Sequence, residues 1–133
     1  MKNQLIFLFL LSASFVAQAS DECDLPEHLC KAQQEYELAD VKLNQVYQQI
    51  IRKIDSDDFK DGLVPKEEIR EALIQSQRVW LKYRDANCHA YYTLSSGGTS
   101  RDWDLLKCES KMTADRTKFL NEIYLEGKMI GEK

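Results

Sequence analysis

The residues from Gln77 to Cys88, QRVWLKYRDANC, set a glutamine, two arginines and an aspartate among a tryptophan and a tyrosine. Such a set could grip an acidic partner, drive proton transfer or brace a core. Helical spacing separates these uses. Gln77, Trp80, Arg84 and Cys88 recur at three- and four-residue steps and share one face, whereas Arg78 and Asp85 fall off it and point outward. Two more ions sit on apolar faces elsewhere, Asp40 and Arg116. Because an unpaired buried ion costs several kcal/mol, Asp40, Arg84 and Arg116 are expected to pair inside the fold. One carboxylate would serve one or two guanidiniums, with Asn44 and Gln77 adding hydrogen bonds. The competing role for Asp40 is a general acid or base. A carboxylate held by arginine has a lowered pKa and carries protons poorly near neutral pH, so the spacing favours a polar strut.

The other reactive residue types form no catalytic set. Ser95, Ser96 and Ser100 lie in or beside a loop with no histidine placed to serve them, and the histidines, His28 and His89, stand alone. No C-x-x-C pair exists, which argues against zinc. Gly97-Gly98 is not followed by the lysine and hydroxyl of a phosphate loop. The run Asp57 to Glu68 matches a calcium loop in its acid at position 5, glycine at 6, aliphatic at 8 and glutamate at 12, but Phe59 removes the ligand at position 3. An acidic connection leading into a helix accounts for the same residues. The chain is therefore expected to be no enzyme and to need no metal or cofactor.

Compartment follows from the N-terminus. Lys2 precedes the apolar run Leu5 to Leu11 and then Ala17-Gln18-Ala19, the pattern of a secretory signal peptide over residues 1–19. Residues 20–133 would then be one exported domain, periplasmic or secreted. Asp21 and Glu22 precede Cys23, so a lipid-modified cysteine is not expected and the mature form should lack a membrane anchor. The formal net charge is −4, and cleavage would remove one lysine and no acid. That balance, with basic residues interspersed among acids, discourages nucleic acid and permits a basic protein partner.

All four cysteines follow the signal, and an even count in an oxidising compartment implies two disulfides. Three pairings are formally open. Helix geometry favours Cys23 with Cys30, a local link, and Cys88 with Cys108, which face each other across a hairpin.

Three amphipathic segments supply that geometry, and no stretch alternates with the period of a strand. The first, about 27–54, aligns Leu29, Ala32, Tyr36, Ala39, Leu43, Tyr47, Ile50 and Ile54. The second, about 65–94, aligns Ile69, Leu73, Trp80, Cys88 and Tyr91, and the third, about 100–126, aligns Leu105, Cys108, Met112, Phe119 and Ile123. Ser100 is an expected N-cap and Gly127 an expected stop. Connections at 55–64 and 95–99 are short, so the expected fold is all α: an antiparallel three-helix bundle stapled by two disulfides.

In order, Cys23, Cys30, Ala39-Asp40, Leu43-Asn44, Tyr47, Gln77-Arg78-x-Trp80, Tyr83-Arg84-Asp85, Cys88, Gly97-Gly98, Cys108, Thr113, Arg116-Thr117 and Leu120 resemble the LprI-like family of secreted and lipid-anchored bacterial proteins, named after a lysozyme inhibitor. The resemblance covers almost the whole mature sequence. It implies a helical, disulfide-bonded envelope domain that binds a protein, a basic lysozyme being the suggested partner. The chain departs from lipid-anchored relatives in lacking their anchoring cysteine. Another envelope protein, bound for immunity or in stress, would use the same surfaces. The loop Ser95, Ser96, Gly97, Gly98 and Thr99, flanked by Tyr91, Tyr92 and Arg101, is either a plain interhelical turn or the surface that meets a partner, since small residues make a narrow tip and aromatics anchor well.

Overall fold

The computed structural model describes residues 23–56, 58–59 and 63–131. The expected signal peptide and four residues of the tested calcium loop, Asp57, Lys60, Asp61 and Gly62, lie outside them. Three helices follow in order, α1 (Glu27–Asp55), α2 (Lys66–Leu94) and α3 (Arg101–Leu120), the last running into a π-helical turn, Asn121–Leu125. No strand occurs among the described residues. None of these helices is long and apolar enough to cross a membrane.

Each boundary has a local cause. Pro26 and Pro65 stand immediately before α1 and α2 with extended ψ near 140°, and their carbonyls accept the first helical bonds. Ser100 occupies the N-cap of α3, yet its hydroxyl bonds Asp104 Oδ2 at 3.1 Å rather than a backbone amide. Gly127 ends the helical run as expected: at φ +68° it takes the left-handed conformation that lets Lys128 N–H reach back to the Glu122 carbonyl at 2.9 Å. The π turn widens the backbone, and Lys53 Nζ from α1 donates to the Tyr124 carbonyl at 2.9 Å.

Helix α2 runs antiparallel to both neighbours, and α3 packs against each, while α1 and α2 meet only sparingly. The bundle is layered as a result. At its base Leu43, Ile50, Ile54, Leu73 and Leu120 form the apolar core, joined by Phe59, Ile69 and Tyr124. Each such side chain contributes about 1.5–3 kcal/mol on burial. Phe59, the residue that breaks the calcium pattern, packs edge-on to Tyr124 with ring centroids 6.4 Å apart and lies beneath Lys53. Above the base comes a layer of arginines, and above that the Cys88–Cys108 disulfide, whose Cα atoms are 5.6 Å apart and whose Cys88 is fully buried. Cys23–Cys30 closes the N-terminal link with Cα atoms 5.9 Å apart. Both pairings are those expected from helix geometry.

The face of α3 differs from expectation. Its buried residues are Thr113 and Leu120, whereas Phe119, from the expected stripe, is 41% exposed. A helix wedged between two others is touched along two lines, so its most buried row lies between them and not along the most apolar stripe. Tyr91 on α2 is likewise exposed, because it lies above the disulfide where the core has ended.

Candidate functional site

The ionic groups assemble differently from the single shared carboxylate that the spacing implied. Arg84 is the buried ion: its side chain is 7% exposed, while those of Asp40 and Asp85 are 54% and 59% exposed. Its Nε and Nη2 both reach Asp85 Oδ1 at 2.9 Å. Nη1 donates to the buried Thr113 hydroxyl at 3.2 Å and lies 3.5 Å from Asp40 Oδ1, at the limit of a hydrogen bond. The guanidinium also lies over the rings of Tyr36 and Trp80, 5.4 and 5.5 Å from their centroids. Burial alone would lower the Arg84 pKa, but the bond it donates to Asp85, then Tyr36 and the nearby acids, outweigh it and hold the group above its ordinary value. Arg84 is thus a permanent cation.

Asp85, expected to face outward, is therefore the main counterion, and Asp40 is a half-exposed secondary one. Arg116 forms a separate unit. Its Nε donates to Gln77 Oε1 at 3.2 Å and its Nη2 to Ser76 Oγ at 2.9 Å, and its guanidinium lies over Trp80 and Phe119. With neutral acceptors only among the described residues, its pKa is lowered by burial. Trp80 serves both arginines. Asn44 does not join either unit; it is exposed at the α1–α2 groove. Helical spacing did not assign two members, of which Thr113 is among the residues of the family resemblance. Thr113 sits at the centre of the layer, and Glu109, one turn above it, has its pKa raised by burial, with Asp85 adding and Arg84 opposing. Tyr36 is also raised, by burial first, with Arg84 opposing.

The arrangement links all three helices, through Asp40 on α1, Arg84 and Asp85 on α2 and Thr113 on α3. His89 stacks on Tyr92, with ring centroids 5.7 Å apart, and no group of three potential metal ligands occurs among the described residues.

The loop at the top end is open. Ser96, Gly97, Gly98 and Thr99 are exposed and Ser95 is half-buried. A turn bond from Gly98 N–H to the Ser95 carbonyl, 3.0 Å, shapes it. Neither glycine has positive φ, and a Cβ at Gly97 would meet nothing within 4 Å. The backbone therefore does not require glycine here. Tyr92 is held between His89 and Arg101, whose guanidinium lies 5.4 Å from its ring centroid. Tyr91 is 45% exposed, and Leu94, absent from the expected set, is 82% exposed. Leu94 could have been found as an aliphatic on the last helical turn with no core left to cover it.

The fold is a disulfide-stapled, all-α three-helix domain with buried Arg84 between its apolar core and the Cys88–Cys108 bridge. The sequence matches the family described as lysozyme inhibitor LprI over residues 19–120, and the chain belongs to that family. An uncharacterized protein of Rhizobium meliloti is 30% identical over 108 residues, spanning 80% of this chain and 76% of the relative. No solved structure matches the chain.

Proposed function

We propose that this protein is an exported, non-enzymatic binding protein of the cell envelope that inhibits a lysozyme-type muramidase. The family match over residues 19–120 carries this proposal. The negative formal charge, −4, suits a basic enzyme as partner, and two disulfides suit an oxidising compartment.

The contact surface in this proposal is the 95–100 loop with Tyr91, Tyr92, Leu94 and Arg101. A glycine pair that the turn does not require leaves the tip narrow enough to enter a cleft, and the adjacent rings and Leu94 supply apolar area. The test is Gly97→Arg, which adds bulk and a like charge toward a basic enzyme at a position with free space. It should weaken inhibition about tenfold or more while the melting temperature stays unchanged. Undiminished inhibition by this variant would remove the loop from the interface.

A further inference from the structure

We propose that the groove between α1 and α2 is a binding site for a neutral saccharide chain bearing hydroxyl and acetamido groups. The groove exists because α3, wedged against both helices, holds α1 and α2 apart. It encloses about 480 Å³ over a floor of Leu43, Ile74 and Leu81, within the range of small-ligand sites.

Its walls carry planar polar groups, one of them fixed from behind. Gln77 Oε1 accepts from Arg116, which commits the oxygen to the interior and leaves the amide N–H2 as a donor for a ligand. Asp40 Oδ1 lies against Arg84, which leaves Oδ2 as an acceptor. Asn44 and Arg78 line the same groove from opposite helices, and Tyr47 lines it as well. Arg116 thereby orients a donor at the surface, with the Asp40 carboxylate as an acceptor on the facing helix, a preorganisation that bracing alone does not require.

A second depression of similar volume shares Asn44 with the first and continues along α1 from Val41 past Gln45, Gln48 and Gln49 to Arg52. From Leu43 to Ile51, LNQVYQQII, the helix carries no charge, in a chain of which 30% is charged. Every exposed position in that stretch is an amide. Side-chain amides offer both donors and acceptors without net charge. Two cups in line suit an extended ligand. Its hydroxyls would meet Asp40, Asn44 and Gln77, its acetamido group would pair with an amide while the methyl rests on Leu43 and Ile74, and a sugar C–H face would lie on Tyr47. A polyanion would find too little positive charge here, and an acyl chain too many polar groups.

The test is a titration of the oxidised mature protein with tri-N-acetylchitotriose, followed by amide chemical shifts. The expected result is millimolar or tighter binding, with shifts confined to residues 40–52 and 74–81 and affinity unchanged between low and physiological salt, as a neutral ligand requires. Asn44→Ala and Arg78→Ala, both at exposed positions, should each weaken binding about tenfold with unchanged melting temperature. No shift at about 10 mM sugar, shifts mapping elsewhere, or binding indifferent to both substitutions would overturn the proposal. No muramidase is present in this titration, so its outcome is independent of the inhibition assay.

Discussion

Replacing Asp85 and Asp40 separately by asparagine discriminates between the two ways in which the buried Arg84 could be neutralised. A hydrogen bond to a charged group contributes about 1.5–3 kcal/mol when shielded. Asp85 accepts from two guanidinium nitrogens at 2.9 Å but is 59% exposed, so solvent screening reduces its contribution to about 1 kcal/mol. Asp40 lies 3.5 Å from a single nitrogen and is 54% exposed, which places it below about 0.5 kcal/mol. With an unfolding entropy of about 2.1 cal/mol/K per residue, about 110 folded residues lose roughly 4 °C of Tm per kcal/mol. Asp85→Asn should therefore lower Tm by about 4 °C and Asp40→Asn by under about 2 °C. Arg84→Lys, which loses the planar fork and its stacking on Trp80 and Tyr36, should cost about 2 kcal/mol or more. Thermal melts of the oxidised proteins measure all three. An Asp40→Asn loss equal to or above that of Asp85→Asn would refute this ordering and restore Asp40 as the principal counterion.

Removing Cys88–Cys108 by paired alanines should destabilise by about 3 kcal/mol and removing Cys23–Cys30 by about 2 kcal/mol, because the first closes the longer loop; denaturant titration ranks them. Glu109→Gln should stabilise the protein at neutral pH. The folded carboxyl is raised above its ordinary value, so its stabilising contribution is complete below the unfolded pKa and is lost as pH rises through the folded one. The advantage of glutamine should accordingly vanish as pH falls below the ordinary glutamate range, and a gain that grew toward acid would contradict the shift. Gly127→Ala places a Cβ on a left-handed residue and should cost about 1 kcal/mol by melting, whereas Gly97→Ala should cost nothing measurable.

The helices and the disulfides were legible because both follow from periodicity. Three- and four-residue steps locate Leu43, Ile50 and Ile54 on one face and set Cys88 against Cys108, and two prolines and Gly127 mark ends through backbone chemistry that needs no tertiary contact. The polar layer was legible in its arginines but not in their partners. Periodicity assigns a Cβ to a face; it does not say where an arginine's long side chain turns, and Arg84 turns to the aspartate beside it in sequence. Thr113 entered through the family resemblance and carried no signal in the helical spacing, since one hydroxyl row on an otherwise mixed helix resembles a solvated face until two neighbouring helices close over it. The α1–α2 groove depends on how α3 spaces the other two helices, a tertiary property that only the amide run from Asn44 to Gln49 hinted at.

The central claim, inhibition of a muramidase, is tested most directly by a turbidity assay of cell-wall lysis. The purified oxidised domain would be titrated against c-type and g-type lysozymes at low and physiological salt. The expected result is stoichiometric inhibition of at least one class, weakened as salt screens the acidic surface. Full lytic activity of both enzymes at a large molar excess of the domain would contradict it.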